Sequence, residues 1–202
     1  FTPGADYNGG TSFTFTTNDG ALSSNPATVS IAIFAVNDPP VAFSSNFTGT
    51  EDTVLTGTLT GTDVDAGDSF TFIVTQQPSV GVVSVVPSTG VFTFTPNPNV
   101  NGQIPFQFKT NDGRLDSVAP ATVYLKVAAV NDPPTVTTAT VLATEDKLLY
   151  ITLPAVDVDG DAMIFYITEY PTLGHITTFG PNNRTILYVP NLNANGVDLF
   201  RW

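Results

Sequence analysis

The sequence predicts an all-β chain built as a tandem of Greek-key β-sandwiches, and three observations predict it. Apolar and polar residues alternate with period 2 in short runs, as in strands with one buried and one wet face. Turn clusters of Gly, Pro, Asn and Asp separate those runs at intervals of roughly 8–12 residues, the spacing of a sandwich. The whole pattern then recurs every 94 residues. No stretch carries helical periodicity.

The repeat is legible in unrelated motifs that share an offset of 93 or 94 residues. Val36-Asn37-Asp38-Pro39-Pro40 returns as Val130-Asn131-Asp132-Pro133-Pro134, and Thr50-Glu51-Asp52 as Thr144-Glu145-Asp146. Asp63-Val64-Asp65 returns as Asp157-Val158-Asp159, and Asn18-Asp19-Gly20 as Asn111-Asp112-Gly113. Phe1-Thr2-Pro3 matches Phe94-Thr95-Pro96 and again Tyr188-Val189-Pro190. Residues 41–134 are therefore expected to form one complete repeat. Residues 1–40 are the C-terminal part of a preceding repeat, and residues 135–202 the N-terminal part of a following one.

Within the complete repeat, Phe92 and Phe94 flank Thr93, and Phe106 and Phe108 flank Gln107. Val123, Leu125 and Val127 alternate with Tyr124 and Lys126. These side chains are the expected core. Pro87-Ser88-Thr89-Gly90 and Asn111-Asp112-Gly113 have the composition of tight turns.

Composition narrows the function. Of 202 residues, 42% are hydrophobic and 12% charged, which favours a folded chain. The net charge of −12 disfavours nucleic acid and anionic membrane as partners and suits multivalent cations. No apolar run is long enough to span a bilayer. The absence of cysteine excludes disulfides, thiolate metal sites and a cysteine nucleophile. Phe1 is preceded by no initiator methionine or signal peptide, so the chain is read as a mature product or a fragment of a longer one.

The motifs Thr50–Thr53, Asp63–Asp68, Phe92–Phe108, Asp112-Gly113 and Val130–Pro134 appear in the order of an acidic "TEDT", a "DxDGD"-type turn, an "FTFTP…NG…F" segment, a "DG" turn and a closing "VNDPP" linker. In that order they resemble the cadherin-like repeats of bacterial surface adhesins, which are Ig-like sandwiches. The resemblance implies an extracellular or cell-surface structural and adhesive role, with calcium bound where consecutive repeats meet. It implies Asn37, Asp38, Asp63, Asp65 and Asp112 as ligands at the first linker. At the second it implies Glu51, Asn131, Asp132, Asp157 and Asp159; Asp68 and Asp161 are extra ligands that it implies without assigning them to one linker. The mid-repeat acidic cluster of animal cadherins is replaced by Pro96-Asn97-Pro98-Asn99, so one or two ions per linker are expected rather than three. Calcium chemistry agrees, since the ion takes six to eight hard oxygen ligands.

Alternatives stand beside each reading. Asn111-Asp112-Gly113 is a good turn without any metal, and Glu51-Asp52 a plausible solvated strand end. Asn46 and Asn183 begin glycosylation sequons, a pattern that also arises by chance in a chain rich in Asn and Thr. The single histidine, His175, aligns with Val82, which argues for a strand residue rather than a catalyst. Trp202 aligns with Phe108 and Phe15 as a core aromatic. No enzymatic activity is expected.

Residues 135–202 stop short of a whole sandwich, while residues 11–36 carry strands of the absent kind, with Phe13, Phe15, Val29, Ile31 and Ile33 alternating. Two explanations compete: neighbouring repeats of the same longer chain supply the strands, or copies join head to tail by strand complementation. The functional expectation is a calcium-stiffened rod or fibre. The alternative is a module that binds a cell-surface glycan or protein, suggested by divergence of the third repeat around Tyr166, Tyr170 and His175.

Overall fold

The structure is a computed structural model and describes residues 1–65, 67, 69–178 and 184–202. All regular structure among the described residues is β, and no helix there is long and apolar enough to cross a membrane. The chain divides into two compact units, Phe1–Ala129 and Val130–Trp202.

The first unit holds eleven strands: β1 Gly9–Phe15, β2 Ala27–Ile33, β3 Val41–Phe43, β4 Ser45–Thr50, β5 Leu55–Thr58, β6 Thr60–Thr62, β7 Thr71–Gln76, β8 Val82–Val85, β9 Val91–Thr95, β10 Gly102–Asn111 and β11 Ala121–Ala128. One sandwich layer has the order β4-β11-β10-β7 and the other β5-β9-β8, with β3 paired to β6. All pairs are antiparallel except β4 with β11.

The period-2 pattern becomes the core. Ile104, Phe106, Phe108 and Thr110 point inward from β10, and Ala121, Val123, Leu125 and Val127 from β11. Phe92 and Phe94 oppose them from β9. The Phe92 and Phe106 rings meet edge to face at 5.4 Å, and Phe47 meets Phe92 the same way at 4.9 Å. Such pairs add about 0.5–1.5 kcal/mol beyond the area they bury. Layers approach closely at Gly57, where a Cβ would lie 2.5 Å from the Phe47 ring. The turn before β9 closes as its composition predicts, with Gly90 at φ +70° donating its N–H to the Val86 carbonyl at 2.9 Å.

Strands β1 and β2 form a separate hairpin whose faces are largely exposed; Phe13 and Phe15 are each about half accessible. Its register reproduces β10–β11. Phe13 opposes Val29 as Phe106 opposes Val123, and Phe15 opposes Ala27 as Phe108 opposes Ala121.

The second unit contains β12 Thr135–Val136, β13 Leu149–Thr152, β14 Ala155–Val156, β15 Gly174–Thr178 and β16 Thr185–Pro190. The sheet β13-β16-β15 is the counterpart of β5-β9-β8, and β12-β14 of β3-β6. Ile151, Leu153, Ala155, Phe165, Ile186 and Tyr188 make its core, with Phe200 and Trp202 packed against it as tilted rings 5.8 Å apart. Residues 139–144 align with β4 yet form no strand, and residues 196–202 align with the start of β10 yet make only the bridge from Arg201 to Glu169. Both lack the partner that β11 provides in the first unit, and a strand without a ladder leaves its backbone groups to solvent.

Candidate metal site

In the first unit, five residues assigned by resemblance converge on the linker before β3. The Asp38 backbone N–H donates to Asp65 Oδ2 at 2.8 Å, and the Asp65 N–H donates to Asp63 Oδ1 at 3.0 Å. Asn37 Nδ2 donates to Asp112 Oδ2 at 2.8 Å and to the Asp38 carbonyl at 3.2 Å. The turn after β10 presents Asp112: its Oδ1 accepts the N–H groups of Arg114 and Leu115 at 2.6 and 2.7 Å, while Asn111 Oδ1 accepts from Gly113. This is the geometry that makes Asn-Asp-Gly a tight turn. The Leu115 N–H foremost, then the Asn37 amide, holds the Asp112 carboxyl below the usual carboxylate range.

The second carboxylate oxygen of Asp63 differs from these. Oδ2 is buried and has no hydrogen-bond partner. A buried, unsatisfied anionic oxygen is costly, and a cation is one way to satisfy it. The donor set is all oxygen and rich in carboxylate, which fits a hard divalent ion and not a soft one.

The same backbone device recurs in the second unit. The Asp132 N–H donates to Asp159 Oδ2 at 2.7 Å, and the Asp159 and Asp161 N–H groups donate to Asp157 Oδ1 at 3.0 and 3.1 Å. Asn131 Nδ2 reaches the Asp132 carbonyl at 3.3 Å. Within this unit no residue takes the position of Asp112, and Asn131 is exposed where Asn37 is half-buried. Glu51 is fully buried in the first unit, where its Oε2 accepts from Asn101 Nδ2 at 3.1 Å. Asp68 lies outside the described residues, as does Asn183. Asn46 is exposed on β4, and His175 is an exposed residue of β15 opposite Val189.

Three contacts were not foreseen. Arg114 Nη1 donates to Asn37 Oδ1 at 3.0 Å, placing a cation beside the linker. The signal was available, because Arg114 replaces the Ala21 of the equivalent turn. Asp52 Oδ1 accepts the Asn99 N–H at 2.9 Å, and Asp146 Oδ1 accepts the Asn193 N–H at 2.9 Å, a staple repeated at the 94-residue interval. All four residues have positive φ, a conformation that Asp and Asn tolerate better than most. Finally, Asp198 accepts the Tyr188 hydroxyl at 2.8 Å and the Thr172 and Leu173 N–H groups at 2.8 and 2.9 Å. In the first unit Phe94 and Ile104 occupy the equivalent positions, so this polar clamp belongs to the second unit alone.

Residues 37–129 match the family model of the bacterial cadherin-like domain, and residues 131–202 that of the bacterial Ig domain. Among curated proteins, integrin beta-like protein A of Dictyostelium discoideum is 30% identical over 88% of this chain, and integrin beta-like protein E is 32% identical over 71%. The chain spans only 10% and 8% of their lengths. Among solved structures, ectodomains 1–3 of mouse protocadherin-24 align with 90% of this chain and 66% of their own, at 16% identity and a TM-score of 0.53. That likeness concerns the fold.

Proposed function

We propose that this chain, whose residues 37–129 match the bacterial cadherin-like domain and whose residues 131–202 match the bacterial Ig domain, is an extracellular structural and adhesive module whose inter-repeat linkers are stiffened by calcium. The observation that carries the reading is Asp63 Oδ2, buried without a partner on a carboxylate whose other oxygen accepts from Asp65, which in turn accepts from the Asp38 N–H. Bound calcium would supply a divalent charge that draws carboxylates together. Asp63, Asp65 and Asp112 would hold it at the first linker with Asn37 and the Asp38 region. Asn131, Asp132, Asp157, Asp159 and Asp161 would hold its counterpart at the second. Without the ion these carboxylates repel one another, which loosens the linker.

The rest of the reading follows from this role. The physical task is reach and rigidity, without catalysis, and copies joined head to tail give a fibre. The repeat limits 1–40, 41–134 and 135–202 are the units of that rod. A second reading, recognition of a glycan or a partner protein, draws on Tyr150, Tyr166 and Tyr170, each about two-thirds or more exposed in the second unit.

The test is a thermal melt of the chain with calcium and with chelator. Extracellular calcium modules have dissociation constants of about 10⁻⁴–10⁻³ M, so millimolar calcium should fill such sites and raise the melting temperature reversibly. An unchanged melt at millimolar calcium removes the metal from this account.

A further inference from the structure

We propose that the outer edge of β8 is a strand-pairing surface for a second copy of this chain, and that the Gln77 side chain keeps it closed. This surface lies wholly within the first unit and is independent of both the calcium and the head-to-tail readings.

Strand β8 is the outer strand of the layer β5-β9-β8. It pairs with β9 without a register shift, from Val82 opposite Thr95 to Val85 opposite Phe92. An outer strand of regular geometry presents a row of backbone donors and acceptors that another strand can use. The sequence adds to this. Val80-Gly81-Val82-Val83-Ser84-Val85-Val86 is uncharged and rich in β-branched residues, and Pro78 and Pro87 bound it. Such a segment on an open edge pairs readily with its own kind. In a chain of net charge −12, it is also a place where two copies can meet without opposing carboxylates.

A side chain already occupies this edge. Gln77 Nε2 donates to the Val83 carbonyl at 2.9 Å, and the Val83 N–H donates to Gln77 Oε1 at 2.9 Å. The amide thus makes the two bonds that a facing residue of an antiparallel strand would make. Just beyond β8, the Pro87 carbonyl accepts the Phe72 N–H at 2.9 Å, which closes the far end. A second strand cannot reach Val83 until the Gln77 amide leaves.

Other outer strands are managed differently. In the second unit β15 carries a register shift between Ile176 and Thr178, and Tyr170 stands where the repeat places Gln77. Strand β7, at the border of the other layer of the first unit, is likewise shifted against β10. A bulge disrupts the ladder that a neighbour needs. Regular β8 carries the amide instead. With the amide gone, an antiparallel pairing about a two-fold axis at Ser84 sets Val83 opposite Val85 of the second copy and Ser84 opposite its own counterpart. The contact is isologous, so it closes at a dimer.

Sedimentation of Gln77→Ala beside the wild type, from micromolar to millimolar concentration, tests this. The expected result is a doubling of mass relative to the wild type as concentration rises. Adding Ser84→Lys should abolish the doubling, because it sets two lysines face to face across the axis. Ser84→Lys restores neither bond of Gln77, so its effect separates pairing at this edge from association of a merely destabilised chain. Gln77→Glu, which keeps an acceptor for the Val83 N–H and adds a charge, should stay at the wild-type mass. Equal mass for Gln77→Ala and the wild type at every concentration overturns the proposal, as does doubling that survives Ser84→Lys. Amide exchange checks the closed state: the Val83 N–H should exchange more slowly in the wild type than in dilute Gln77→Ala, and equal rates overturn the role of Gln77.

Discussion

Asn37 Nδ2 donates to Asp112 Oδ2 at 2.8 Å across 75 residues of sequence, tying the linker before β3 to the turn after β10. The lowered pKa of Asp112 makes this tie pH-dependent with a definite sign. A carboxyl whose folded value lies below its unfolded one stabilises fully above the ordinary carboxylate range, and the contribution is lost as pH falls through the folded value. The Asn37 side-chain amide should therefore keep its NMR shift on acidification until below the ordinary aspartate pKa, and then move. Movement centred at or above that pKa would mean that the tie is not formed in solution.

The Tyr188–Asp198 clamp gives a second titration. Burial first, then the bond to Asp198, pushes the Tyr188 hydroxyl up to about 12. Burial pushes Asp198 up too, but the Thr172 N–H, the Tyr188 hydroxyl and the Leu173 and Leu199 N–H groups outweigh it and hold the carboxyl below its ordinary value. Ultraviolet titration should show a tyrosine ionising at about 12, a step that Tyr188→Phe removes. Tyr188→Phe should cost about 1.5–3 kcal/mol, the worth of a hydrogen bond to a charged group, read as a lower denaturation midpoint of the second unit.

Close packing at Gly57 predicts that Gly57→Ala destabilises the first unit. Its Cβ would meet the Phe47 and Phe92 rings at 2.5 and 2.6 Å, both in the core rather than at the ends of flexible chains. Overpacking of this kind costs about 1–3 kcal/mol, measurable by urea denaturation. Gly67→Ala, with nothing within 4 Å of its Cβ, is the contrast, and any loss there arises from its φ of +92°.

The staple from Asp52 to Asn99 and its repeat from Asp146 to Asn193 predict matched losses. Asp52→Ala should cost the first unit about 1 kcal/mol, a typical net hydrogen bond, and Asp146→Ala the second a similar amount. Unequal effects would show that the two units do not use the motif alike.

The layers of the sandwich were legible because alternation at Phe92–Phe94, Phe106–Phe108 and Val123–Val127 translates directly into inward and outward faces. The acidic positions were legible because both repeats carry them, and the bonds from Asp38 to Asp65 and from Asp132 to Asp159 reproduce that repetition at 2.8 and 2.7 Å. The loss of strand at 139–144 was not legible. Those residues keep the pattern of β4, but a strand needs a neighbour to pair with, and the alternation of a segment does not report which neighbours it has. The Tyr188–Asp198 clamp was hidden for a related reason: each residue reads alone as a variant of a core position, and only the fold pairs them.

The central claim is that the first linker holds calcium through Asp63, and a calcium-binding isotherm of the chain beside its Asp63→Ala variant tests it most directly. The account predicts saturable binding in the range of about 10⁻⁴–10⁻³ M, weakened at least tenfold at one class of site by the substitution, with the second linker's site retained. Binding that is absent up to saturating calcium, or identical in the variant, would contradict it.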